Sequence, residues 1–146
     1  MINKNGVQTA ILIDDSDTDL IILKRFIEIS HFAKEVVTFN SPIEALNSIH
    51  AGGYDSSSTM IFLDLHMPMM DGFEFLEKFN SIGDNSERFK VIFLSGSENP
   101  NDHERAMKFP NVVRFFIKSF DFDWLDLLMM KGWNEDSQTV YVARQA

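Results

Sequence analysis

Met60-Ile61-Phe62-Leu63-Asp64-Leu65-His66-Met67-Pro68-Met69-Met70-Asp71-Gly72 decides the fold, because here an apolar strand ends on a single carboxylate. A short apolar run bounded by turn formers reads as a strand buried on both faces. Pro68 and Asp71-Gly72 then turn the chain at once. Asp64 is thus placed at the carboxyl end of a strand, the edge where open α/β sheets bind ligands. An Asp after a strand is also a common turn former or helix N-cap. What sets Asp64 apart is its company: Val7–Ile13 runs into Asp14-Asp15, and Val112–Ile117 runs into Lys118.

Outward from this stretch the same strand-then-helix unit recurs. After Val7–Ile13, Ser16-Asp17 offers an N-cap for a helix to about Ser30 that carries Leu20, Leu23 and Ile27 near helical spacing. Val36–Phe39 reads as a strand. Asn40-Ser41-Pro42 opens a helix over Ile43–Ala51, closed by Gly52-Gly53. Tyr54–Thr59 is loop, Met60–Leu63 strand and Gly72–Asn80 helix. Beyond the polar connection Ile82–Arg88, Lys90–Leu94 is a fourth strand, and the loop from Ser95 to Pro100 leads into a helix to about Lys108. Pro110 stops that helix. Val112–Ile117 is a fifth strand, and Asp121 or Asp123 caps a helix to Lys131. Five such units predict an α/β, doubly wound (βα)5 parallel sheet with helices on both faces. The domain spans 1–132 and a tail 133–146 follows. Thr139–Val142 has strand character and fits an edge or another molecule.

The totals agree with one domain. The 146 residues include 14 Phe, 8 Met and no Cys, which leaves neither a disulfide framework nor a thiolate metal site. No apolar stretch approaches the roughly 18 residues of a membrane span, and no leader of the secretory kind is visible. The expected location is cytoplasmic, with no membrane partner. Against 22 acidic residues stand 13 basic ones, a net charge of -9, and no basic stripe is present. Direct nucleic-acid binding, which draws most of its affinity from cationic contacts to phosphate, is excluded as the first reading.

In a flavodoxin-like strand order 2-1-3-4-5, the carboxyl ends of strands one, three, four and five meet at one crevice. Asp14, Asp15, Asp64, Ser95 and Lys118 then converge there. Three adjacent carboxylates repel one another unless a cation offsets them. Oxygen donors without Cys or spaced His favour Mg²⁺ or Mn²⁺. Three carboxylates, one divalent ion and one lysine sum to zero, so the site can take a phosphoryl group. A carboxylate can attack phosphorus to give an aspartyl phosphate, and Asp64 is the natural nucleophile. His31, His50 and His103 are expected to be surface or partly buried residues with their hydrogen bonds satisfied, with no role.

From Gln8 to Lys131 the chain resembles the receiver domains of two-component response regulators, here of a stand-alone, single-domain type. The resemblance rests on Ile13-Asp14-Asp15, on Phe62 to Gly72, on Leu94-Ser95-Gly96 and on Phe115-Phe116-Ile117-Lys118. It implies that a histidine kinase or phosphotransfer protein phosphorylates Asp64. Asp15, Asp64 and the His66 backbone carbonyl would bind Mg²⁺ directly, and Asp14 mainly through water. Lys118 would pair with the phosphoryl oxygens, Ser95 would be the switch hydroxyl and Phe115 the switch aromatic that turns inward. His66 and Ser97 would flank the path of the hydrolytic water. The family usually has a cis proline after the lysine, where this chain has Ser119. A cis bond to a non-proline costs about 2.5–4 kcal/mol, yet the loop must still aim Lys118 inward, which favours cis.

Two other readings stand beside this one. A Mg²⁺-dependent phosphohydrolase acting through an aspartyl phosphate would place a second Asp two residues after the nucleophile, where this chain has His66. A pseudo-receiver would keep the fold and lose phosphorylation. With no attached output module in view, the expected partners are the phosphodonor, an unidentified downstream protein and a second copy as a homodimer. The output surface is expected on Asn99–Lys108, Val112–Ile117 and the final helix.

Overall fold

The computed structural model describes residues 6–82, 88–96, 98–118 and 140–142. Strands β1 (Thr9–Ile13), β2 (Glu35–Phe39), β3 (Thr59–Asp64), β4 (Lys90–Ser95) and β5 (Val112–Ile117) alternate with helices α1 (Asp17–Ser30), α2 (Pro42–His50), α3 (Gly72–Ile82) and α4 (Pro100–Ala106). All neighbours pair in parallel, in the expected order β2-β1-β3-β4-β5. A sixth strand, β6 (Val140–Val142), extends the sheet beyond β5, with Phe115 opposite Val140 and Ile117 opposite Val142. The strand character near the end of the chain is therefore met within the molecule. The expected helix from Asp121 or Asp123 to Lys131, Ser97 and the Lys118–Ser119 peptide lie outside the described residues.

Why the runs read as continuously apolar is plain from burial. Every residue of β1 and β3 is buried, as is β4 after Lys90. The edge strand β2 is only partly so. Alternation across the pleat sorts these side chains into two cores. Ile11, Ile13, Ile61, Leu63, Val91, Phe93 and Phe115 pack with Leu46 and Ile49 of α2 and Phe73, Leu76 and Phe79 of α3. Ala10, Leu12, Met60, Phe62, Ile92, Leu94 and Phe116 pack with Leu20, Leu23 and Ile27 of α1.

Helix starts follow local chemistry. The Ser16 hydroxyl caps α1 by accepting from the Asp19 N–H, Ser41 caps α2 with Pro42 in the first turn, and Asn99 caps α4 ahead of Pro100. In α3, Asp71 and Glu74 satisfy each other's N–H groups in a reciprocal capping box. Helix α4 ends at Ala106, two residues short of the expected Lys108, and β3 and β4 each run one residue further, so that Asp64 and Ser95 are the last strand residues.

One register shift matters for the site. Val91 pairs with Val112 but Ile92 pairs with Arg114, so Val113 is the extra residue of a β-bulge. The bulge changes which face the rest of β5 presents. It directs Phe115 to the α2/α3 core and Phe116 to the α1 core.

Between Asp64 and α3 the backbone is tightly turned. Met70 N–H donates to the Pro68 carbonyl and Gly72 N–H to the Leu65 carbonyl, both at 2.8 Å. Met69 adopts φ 71°, with its side chain 90% exposed. A left-handed conformation costs a non-glycine residue about 1–2 kcal/mol, against which stands the greater unfolded-state freedom of glycine. Met69→Gly is expected to raise stability by about 0.5 kcal/mol, read as a higher urea midpoint at unchanged slope. A lower midpoint would show that Met69 packs usefully despite its exposure.

Candidate functional site

The parallel register assembles the site. Ile13 lies opposite Leu63, which puts Asp14 and Asp64 side by side as the chains leave β1 and β3. Asp64 in turn lies opposite Leu94, one residue before Ser95, and Ser95 lies opposite Ile117, one before Lys118. Lys118 N–H donates to the Ser95 carbonyl at 2.7 Å, fixing where the lysine begins its reach. Asp14, Asp15 and Asp64 each present a carboxylate oxygen, all within 4.8 Å of one another. Asp14 and Asp64 are buried and Asp15 is exposed.

The lysine does not sit equally among these acids. Its Nζ is 2.5 Å from Asp14 Oδ2, 2.8 Å from Asp19 Oδ2 and 3.7 Å from Asp64 Oδ1. Asp14 is engaged twice, since its Oδ1 also accepts the Ser16 N–H at 2.9 Å. Burial alone would lower the Lys118 pKa, but hydrogen bonds to Asp14 and Asp19 and the charges of Asp64 and Asp14 outweigh it and raise it, so the ammonium stays charged. For Asp64 the balance runs the other way. Burial first, then the Asp14 charge, push its carboxyl up to about 7, and Lys118 offsets this only in part. A second positive charge would relieve the remainder. Three hard-oxygen donors fit Mg²⁺ or Mn²⁺ for that purpose.

Ser95 is fully buried at the end of β4. Phe115 is 1% exposed, so its ring already lies inside, tilted against Phe93 at 6.0 Å between centroids. The inward turn expected of Phe115 therefore has no outward starting point in this structure. His66 is exposed in the turn two residues beyond Asp64.

Sequence reasoning brought Asp14, Asp15, Asp64, Ser95 and Lys118 to one place, and they are there. It missed Asp19, whose position in the first turn of α1 marks it as one more helix-start acid. His103 is partly buried, as one of the two expectations had it, but it is not satisfied: its ring stands edge-on to Phe115 at 5.6 Å and its Nε2 is buried without a hydrogen-bond partner. Arg114, 1% exposed inside β5, was hidden in what reads as an apolar strand; its Nη1 donates to the Val113 carbonyl.

The comparisons with known proteins converge. Residues 10–129 match the family model of the response regulator receiver domain. A curated relative, the probable methanogenesis regulatory protein FilR2 of Methanothrix harundinacea, is 27% identical over 135 residues, covering 85% of this chain and 84% of its own. Among solved structures, a response regulator receiver protein from Dyadobacter fermentans superposes with a TM-score of 0.73 at 29% identity, over 87% of this chain and 98% of that one. A two-component response regulator from Cytophaga hutchinsonii gives 0.75 at 25% identity, over 88% and 98%.

Proposed function

This chain belongs to the response regulator receiver domain family, whose members accept a phosphoryl group on an aspartate in two-component signalling, and from that premise we infer that Asp64 is the acceptor. A histidine kinase or phosphotransfer protein supplies the group. One carboxylate oxygen of Asp64 forms the bond to phosphorus as the bond from phosphorus to the donor's imidazole nitrogen breaks; the imidazole keeps the electron pair and takes up a proton. The observation that carries this reading is Asp64 itself, buried at the end of β3 beside two further carboxylates and a lysine.

Lys118 orients the incoming phosphoryl oxygens and neutralises charge that develops on them. Asp15, Asp64 and the His66 carbonyl would hold Mg²⁺, and Asp14, whose two oxygens already serve Ser16 and Lys118, would act on it less directly. An ion held there would supply electrostatic stabilisation of the phosphoryl oxygens and would offset the acid cluster. Ser95 reads the phosphoryl group as the switch hydroxyl. Phe115, already inside, would respond by repacking against Phe93 and His103 rather than by entering the core. The output is a downstream protein or a second copy bound on 99–118 and the segment that follows, in a receiver domain of residues 1–132 with a tail from 133. The protein acts in the cytoplasm as an acceptor with slow self-dephosphorylation, not as a multiple-turnover enzyme.

The test is incubation with acetyl phosphate and Mg²⁺ followed by intact-mass and peptide mapping. A single added phosphoryl group on the peptide containing Asp64 is expected. Stable labelling elsewhere, or none from either small-molecule or phosphohistidine donors, would refute the assignment. The metal is tested apart from it: Mg²⁺ at one hundred times its dissociation constant should stabilise the fold by about 2.7 kcal/mol. An unchanged melting temperature together with equal labelling in chelator would remove the ion from the mechanism.

A further inference from the structure

The Lys118 ammonium has three N–H groups, and two are committed to carboxylates. One meets Asp14, which flanks the acceptor, but the other meets Asp19 on α1, whereas Asp64 at 3.7 Å lies beyond hydrogen-bond reach. Asp19 is free to do this for a local reason. An acid three residues after a Ser N-cap ordinarily turns back to the cap's own N–H, as Glu74 does toward Asp71 in α3. In α1 the Ser16 N–H is already taken by Asp14 Oδ1. The Asp19 carboxylate therefore extends across the crevice to Lys118 instead. Its charge also upsets the balance of the site. Asp14, Asp15 and Asp64 with one lysine and one divalent ion sum to zero, and Asp19 leaves a net charge of one minus facing an anionic donor.

Resting on the reading of Asp64 as acceptor, we propose that Asp19 is a positioning residue that holds Lys118 toward α1, away from Asp64, and so slows acceptance of the phosphoryl group. When the group arrives, Lys118 must exchange Asp19 for a phosphoryl oxygen. Removing Asp19 leaves Asp14 as the lysine's anchor and frees a donor for that oxygen. Both the competing partner and the surplus charge act before the bond to phosphorus forms.

The experiment compares labelling kinetics of the full chain by acetyl phosphate with Mg²⁺ in wild type, Asp19→Asn, Asp19→Glu and Asp17→Asn. Asp17 sits in the same turn, accepts from Asn40 Nδ2 and does not touch Lys118, so it controls for general loss of charge. Asp19→Asn should raise the second-order labelling constant about fivefold, equivalent to about 1 kcal/mol, with most of the gain in a lower KM. Asp17→Asn and Asp19→Glu should remain near wild type. An unchanged or slower Asp19→Asn protein, or an equal gain in Asp17→Asn, would overturn the proposal. If wild type takes no label from acetyl phosphate or from a phosphohistidine donor, the acceptor reading fails, and the placement of Lys118 is judged alone by NMR of its ammonium group. Those resonances should move in Asp19→Asn and stay in Asp17→Asn; no movement in Asp19→Asn would refute the contact.

Discussion

Asp64→Asn should take up no phosphoryl group from acetyl phosphate and, in metal-free buffer at pH 8, should be more stable than wild type. The first result follows because the amide nitrogen and oxygen of Asn cannot replace the attacking carboxylate, while its shape keeps the end of β3 filled. The second follows from the electrostatics. Burial and the Asp14 charge raise the Asp64 pKa from 3.8 to about 7 in the folded protein. The folded state therefore binds this proton more tightly than the unfolded chain, and stability falls as pH rises from about 4 to about 7, then stays low. The loss is therefore complete at pH 8 and only partial at pH 5. Thermal melts at the two pH values should show a clear gain for Asp64→Asn at pH 8 that shrinks at pH 5. Equal midpoints at both would mean that the acid cluster carries no strain, and label on the variant at the wild-type rate would move the acceptor elsewhere.

Gly72→Ala should cost stability and acceptor function together. A Cβ on Gly72 would stand 2.6 Å from Phe93 Cε1, 2.9 Å from the Asp64 carbonyl oxygen and 3.1 Å from Leu65 Cα. The last two are backbone atoms. The Phe93 ring cannot withdraw cheaply either, since it is fully buried between Phe73 and Phe115. Overpacking of this kind costs typically 1–3 kcal/mol, about 3–9 °C in melting temperature for a domain of this size. Because the displaced backbone belongs to Asp64 and Leu65, labelling should slow as well. Gly96→Ala is the control: nothing lies within 4 Å of its added Cβ, and its stability should change by less than about 0.5 kcal/mol. A Gly72→Ala protein that melts with wild type and labels normally would show that the turn after β3 has room to shift.

Most of the sheet was legible because burial on both faces leaves a continuous apolar run, as in Ala10–Ile13 and Met60–Leu63. A charged residue at the end of such a run stands out, and so the acid pair, Asp64 and Lys118 could be placed at one edge from order alone. What stayed hidden depends on register and on contacts between elements. Val112–Ile117 carries no local sign of the bulge at Val113, yet that bulge decides which core receives Phe115. Asp19 looks like any first-turn acid until the Asp14 bond to the Ser16 N–H is known. Likewise His103 has an ordinary polar neighbourhood in sequence, and only the packing of α4 on β5 sets its ring against Phe115.

The division of the interior by the sheet makes Phe115 and Phe116 a matched pair of observers. They are consecutive in the chain and both essentially inaccessible to solvent, yet each ring belongs to a different core. A fluorine atom placed on one ring or the other would see the same solvent, the same strand and the same overall tumbling. Only the layer of side chains it touches would differ. A resonance that moves for Phe115 and stays fixed for Phe116 would localise a rearrangement to the α2/α3 side of the sheet, and the reverse would localise it to the α1 side.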